Sequence, residues 1–361
     1  MSGTLNRRQF VEWSTHGLGS IALLELLQRD GILTAAAPSP ESTSQPSPVK
    51  RAIQICLVGG MSHVDSYDYK PELTRKQGKT LGSDEKPDIF FGKVGLLRGS
   101  DWEFKQRGQS GLWISEMFPH IAKMADELTL MRSMVSDSAN HTPALFVSNS
   151  GFQANGFPSL GSWLSYGLGS ETEALPSFVV LPDERGGPNG GSSNWTSGFL
   201  PSTYAGVLFR GKGEPILNLD NPPGLDANLQ RASLDALRDL NNQRYRKTLD
   251  PEIQSRISSY ELAFRMQKSA PELIDLRDES KDTLELYGVG RKDLPNAGRG
   301  GGKNVFSNFS TNCLLARRMV ERGVRFIQLY SGSGSKWDAH SKIEKNHTDR
   351  CRETDIPIAG L

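Results

Sequence analysis

Cys313-Leu314-Leu315-Ala316-Arg317-Arg318-Met319-Val320-Glu321-Arg322-Gly323-Val324-Arg325-Phe326-Ile327-Gln328-Leu329-Tyr330 is the stretch that decides the class of fold. Its first ten residues place apolar side chains at three- and four-residue intervals, the pattern of an amphipathic helix. Gly323 then supplies the left-handed backbone that commonly closes a helix. Residues 324–330 are a short, mostly apolar run, as in a strand covered on both faces. Helix, glycine and buried strand in that order form the repeating unit of an open α/β sheet.

Three further stretches fit the same reading. Residues 52–58, Ala-Ile-Gln-Ile-Cys-Leu-Val, are nearly continuous apolar sequence ended by Gly59-Gly60, the signature of a buried parallel strand. Residues 128–134 follow a helix-like segment at 118–125 and are expected to form a second strand, and residues 177–181 a third. The expected fold is therefore α/β, an open and mostly parallel sheet flanked by helices. Between about residues 225 and 290, Ile253, Ile257, Tyr260, Phe264 and Met266 recur at helical spacing. Two or three helices are expected there, covering one sheet face or forming a side lobe. Arg299-Gly300-Gly301-Gly302 is a loop, but no Gly-Lys-Ser/Thr follows it, so it does not read as a phosphate-binding loop.

Open α/β sheets bind ligands beyond the carboxyl ends of their strands. After the first expected strand comes Gly59-Gly60-Met61-Ser62-His63-Val64-Asp65-Ser66-Tyr67-Asp68. Glycines followed by a carboxylate suit a hard cation, whose oxygen ligands need backbone room to converge. After the second comes Asn140-His141-Thr142-Pro143-Ala144, where Pro143 marks a first helical turn with Thr142 or His141 just ahead as its cap. Free N–H groups at such a helix start attract a phosphate or sulfate. A hydroxyl there, that of Thr142, is a candidate nucleophile if a metal lowers its pKa. After the last strand, Asp338 and His340 stand two apart in a glycine-rich loop, suited to a shared divalent metal ion.

The balance of charges narrows the class of partner. The 361 residues carry a formal net charge of +1, so no general attraction draws the chain to nucleic acid or an anionic membrane. Cys56, Cys313 and Cys351 are an odd, widely spaced set, neither a disulfide framework nor a zinc motif. They read as small core residues.

Asn6-Arg7-Arg8-Gln9-Phe10-Val11 resembles a twin-arginine export signal. Ala35-Ala36-Ala37 supplies small residues for cleavage, expected after Ala36, which makes residues 1–36 a signal peptide. Charged residues interrupt the apolar stretch behind the arginines, and no run approaches the ~20 apolar residues of a membrane span. Residues 37–50 read as a Pro/Ser linker. The remainder, 51–361, reads as one α/β domain placed in the periplasm or outside the cell, with the twin-arginine export machinery as its first partner.

Gly59-Gly60-Met61-Ser62-His63-Val64-Asp65, Asn140-His141-Thr142-Pro143-Ala144, Gly198-Phe199-Leu200-Pro201, Trp337-Asp338-Ala339-His340 and Asn346-His347-Thr348-Asp349-Arg350-Cys351 occur in one order along the chain. In these the chain resembles domain-of-unknown-function family 1501, exported proteins of planctomycete-type bacteria grouped with the alkaline phosphatase and sulfatase superfamily. The resemblance implies a sulfatase-like sheet and one or two divalent metals beside a nucleophile. Carried over by position, it implies metal ligands at Asp65, Asp338 and His340, a nucleophile at Thr142, and a ligand or base at His141. The implied activity is exported, metal-dependent hydrolysis of a phosphate or sulfate ester on a small molecule or glycan. A non-catalytic module that binds sulfated or phosphorylated glycans is the alternative expectation.

Members of that family continue through Gly-Glu-Phe-Gly-Arg-Thr-Pro and Gly-Arg-Asp-His-His segments that would supply further acidic and histidine ligands. This sequence ends at Ile356-Pro357-Ile358-Ala359-Gly360-Leu361, which reads as the start of an amphipathic helix. The expectation is an incomplete C-terminal part with an exposed sheet edge, and little activity from the chain in this form.

Overall fold

A computed structural model describes residues 49–81, 94–210, 216, 217, 219–295 and 303–361. The expected signal segment, most of the linker and the glycine loop at 299–302 lie outside the described residues.

Four strands form one parallel sheet. They are β1 (Ala52–Leu57), β4 (Phe178–Leu181), β5 (Val207–Leu208) and β6 (Phe326–Ser331), in the order β1-β6-β4-β5. A separate antiparallel hairpin joins β2 (Phe104–Arg107) to β3 (Leu112–Ser115). After the short α1 (Pro71–Arg75), α2 (His141–Ser150) and α3 (Leu160–Leu168) cover one sheet face. On the other face lie α5 (Pro251–Ile274), α6 (Lys281–Tyr287) and α7 (Val305–Glu321). α4 (Ala227–Thr248) buries none of its residues and runs against α5 as an outlying hairpin. α8 (Ile343–Gly360) closes the described chain.

The chemistry of the strands explains the layering. All four residues of β4 are buried, and successive side chains point to opposite faces. Phe178 and Val180 meet Leu145 of α2 and Leu160 and Leu164 of α3, while Val179 and Leu181 meet Leu314, Leu315 and Met319 of α7. β6 is buried throughout in the same way. Gln328 interrupts its apolar run: it donates to Asn149 of α2 at 2.9 Å and to Gln54 of β1 at 3.3 Å. Gln54 and Gln328 are register partners, so two neighbouring strands present one amide cluster to α2. That cluster is specific in direction, unlike apolar packing, and it sets the rotation of the helix whose first residue is His141.

Three expectations are corrected. Residues 128–134 do not form a strand: Met131 and Met134 are 73% and 74% exposed, and the segment is irregular. Leu128 packs beside Ile114 and Phe118, but among the described residues no strand lies alongside to complete a ladder, and apolar composition alone does not supply one. β1 is parallel as expected, yet it stands at the sheet edge among the described residues, with only Cys56 of its six residues buried. An apolar run does not tell a central strand from an edge strand. Residues 356–361 are likewise the last turns of α8 and its cap, where the sequence suggested a helix start.

All three cysteines are free and buried, and burial pushes each thiol up, Cys56 to about 12. The thiolate is the reactive form. The native protein is therefore expected to resist Ellman's reagent at pH 8 and to titrate three thiols once denatured. Prompt labelling of the native chain would show that the helix and strand cores open readily.

Among the described residues no helix is long and apolar enough to cross a membrane.

Candidate metal centre

Two loops at the carboxyl ends of β1 and β6 build the site. Gly59 follows β1 with φ +109°, and a Cβ there would lie 2.6 Å from the Ser335 carbonyl and 2.8 Å from the Asp338 amide nitrogen. Only glycine lets the two loops pass so closely. The Trp337 N–H donates to the Val58 carbonyl at 2.9 Å, and the fully buried Trp337 ring donates Nε1–H to Ser331 Oγ at 3.1 Å. Asp338 is thereby fixed directly over the end of β1.

α2 brings the second wall. Asn140 accepts the Thr142 N–H at 3.3 Å, and so caps the helix in place of the expected Thr142 or His141. This frees both of those side chains from capping. His141, the first helical residue, directs Nε2 to Asp338 Oδ2 at 2.8 Å, and His340 Nε2 reaches the same oxygen at 2.5 Å. The ligand atoms of these three residues lie within 4.8 Å of one another.

This donor set fits a divalent ion. Two imidazole nitrogens and one carboxylate oxygen are the ligands of a catalytic zinc or related transition-metal site with positions left for water and substrate. Around a four-coordinate ion with bonds of about 2.1 Å, ligand atoms stand about 3.4 Å apart. The two His–Asp contacts would open by less than about 1 Å to admit one. The amides of the first turn of α2, beside the cluster, add the partial positive charge of a helix start.

The other residues singled out by sequence lie around this cluster with different roles. Asp65 ends a single 3₁₀ turn (His63–Asp65), where its Oδ2 accepts from Ser62 Oγ at 2.6 Å. It is not one of the three converging ligands, but its charge and that of Asp338 both act on the buried His347, so it borders them. Thr142 is half-buried beside His141 at the helix start. Asp68 is buried and paired with Lys70 at 3.0 Å and Arg132 at 3.8 Å, a structural carboxylate.

Sequence reasoning passed over a second layer of polar residues. Asp183 and Arg185 follow β4 directly: Arg185 binds Asp183 and the fully buried Glu353 of α8, and Asp183 Oδ2 accepts the Gly332 N–H at 2.6 Å. Burial works to raise the Asp183 carboxyl, yet Arg185 and the Gly332 N–H hold it below the usual carboxylate range. Gly332 opens the loop that carries Asp338 and His340, so this network meets the site at its base. An Asp-x-Arg step after a strand is the same kind of signal as Asp-x-His.

A family described as protein of unknown function (DUF1501) matches residues 49–361. No curated protein and no solved structure matches the chain.

Proposed function

We propose that this chain, which belongs to the DUF1501 family by its match over residues 49–361, is a metal-dependent hydrolase of phosphate or sulfate esters on a sulfatase-like sheet. The observation that carries the reading is the convergence of His141, Asp338 and His340 at the carboxyl end of a parallel sheet. A divalent ion held there would polarise the ester oxygens and lower the pKa of the attacking hydroxyl.

The chain's own groups supply the rest. Thr142 Oγ1, at the start of α2, would attack phosphorus or sulfur, and Asp65 at the border would serve as a further ligand of the ion. The ester alkoxide or phenoxide would leave with the proton given up by Thr142, relayed through water, and a water would then cleave the enzyme ester, returning a proton to Thr142 and releasing phosphate or sulfate. The α2 amides stabilise charge gathering on the transferring group. The twin-arginine-like residues 6–11 support a reading in which this chemistry acts outside the cytoplasm, by a route that carries folded proteins and so permits cation loading before export.

The test is hydrolysis of an aryl phosphate and an aryl sulfate by chelator-stripped protein given back Zn²⁺, Mn²⁺, Mg²⁺ or Ca²⁺. Turnover that returns with one of these ions and is lost in Asp65→Ala supports the mechanism. Hydrolysis that survives in Asp65→Ala, or that ignores chelation, contradicts it.

A non-catalytic glycan-binding module is the second reading, and one observation favours it. Trp163, Tyr166, Phe199 and Tyr204 form a surface cluster of edge-to-face rings, with Phe199 66% exposed. Exposed aromatic faces of this kind stack on sugar rings. Binding of a sulfated polysaccharide with neither bound metal nor turnover, lost in Phe199→Ala, would move the assignment to this reading.

A further inference from the structure

α8 sends a buried histidine toward the site. His347 is 2% exposed and lies between two tryptophans, its ring centroid 6.4 Å from Trp102 and 6.2 Å from Trp337. Its Nε2 accepts the backbone N–H of Ser62 at 3.0 Å, and Ser62 Oγ in turn donates to Asp65 Oδ2 at 2.6 Å. A buried histidine that feels the charges of Asp65 and Asp338 invites the role of an additional metal ligand. The geometry argues otherwise. The Nε2 lone pair is taken by an amide N–H. A neutral imidazole that accepts at one nitrogen carries its proton on the other. That other nitrogen, Nδ1, is buried beside the Ile343 backbone and holds its proton there, so no lone pair is left to coordinate a cation. Burial also holds the ring below its ordinary pKa, against the pull of Asp65, Asp338 and the Ile343 backbone, which keeps it neutral and able to accept.

We infer that His347 is a positioning residue: through Ser62 it fixes the Asp65 carboxylate at the border of the His141–Asp338–His340 cluster, and it does not bind the metal. Residues 62 and 347 are far apart in sequence, so the contact couples the loop after β1 to α8. Outer partners of this kind orient the groups nearest a metal and typically govern affinity by 10–100-fold. This inference rests on the metal-site reading above.

The probe is Co²⁺, titrated into the chelator-stripped full chain and followed by calorimetry and visible absorption. His347→Ala should bind Co²⁺ roughly 10–100-fold more weakly with the stoichiometry and absorption bands of the parent. His347→Gln, whose amide oxygen can accept the Ser62 N–H, should recover most of the affinity, and Ser62→Ala should reproduce the loss. Altered absorption and lost stoichiometry in His347→Ala, matching His141→Ala, would make His347 a ligand and overturn the inference. Unchanged affinity would overturn it too, leaving a packing residue. His141→Ala separates the two claims, because Co²⁺ binding that survives it removes the metal site itself. Nitrogen-15 shifts of the parent protein give a readout free of folding effects. His347 should show a protonated Nδ1 both before and after Zn²⁺ is added, and a coordination shift at either ring nitrogen would refute the positioning role.

Discussion

Asp338→Ala is expected to abolish divalent-cation binding and, with it, ester hydrolysis. Asp338 Oδ2 is the common partner of His141 Nε2 and His340 Nε2, at 2.8 and 2.5 Å, so it alone connects the helix side of the site to the loop side. It is also the one negative charge within the converging triad. Two imidazoles left on separate elements hold an ion poorly, and the loss should exceed the roughly 10–100-fold that follows removal of an outer-shell partner. The fold should barely respond. The loop is anchored by main-chain bonds at Trp337 and Asp338 and by the buried Trp337 ring, none of which needs the carboxylate. Calorimetric titration with Zn²⁺ or Mn²⁺, beside a denaturant melt, reads both quantities. Parent-like binding by the variant would place the cation elsewhere in the molecule, while a large fall in stability would make Asp338 a structural residue.

The parts of this architecture that sequence reveals are those with local causes. Residues 313–330 announce a helix, a glycine stop and a buried strand because periodicity and Gly323 act within a few residues, and α7 and β6 follow that pattern. Strand neighbours have no local signal: β1 pairs with β6 across more than 260 residues, and residues 128–134 carry strand-like composition without a partner. The same division holds at the site. Asp338 and His340 are legible because they sit two apart after a strand, and His141 because Pro143 marks its helix. His347, Arg185 and Glu353 are not, since each is functional only through contacts with distant loops. Gln54 and Gln328 give a sequence clue to a different contact, the docking of α2 through Asn149, because they are polar residues within two apolar strands where an unsatisfied amide would be costly.

α8 reads as a polar segment, and its burial is the least local fact of the fold; its Glu353 should therefore be among the most sensitive positions. Glu353→Ala is expected to destabilise the protein by about 3–5 kcal/mol, the cost of breaking a buried ion pair. Glu353 is fully buried between Arg185, at 2.8 Å, and Arg350, at 2.5 Å. Burial pushes its carboxyl up, against the two guanidinium groups that favour the charged form. Removing it strands Arg350, itself 2% exposed and with Nε already lacking a partner. Replacing both partners by apolar residues of similar size, as in Glu353→Leu with Arg350→Met, should recover most of the stability, because a buried pair often contributes little beyond its own desolvation cost. Cation affinity should not recover with it. Arg185 would still have lost the carboxylate that orients it on Asp183, and Asp183 holds the Gly332 N–H at the base of the Asp338 loop. Urea melts and Zn²⁺ titrations of the single and double variants separate the two effects. If affinity returned together with stability, the network would serve the fold alone. A double variant that is stable but binds weakly would make Glu353 a residue that aims the loop from the far side of α8.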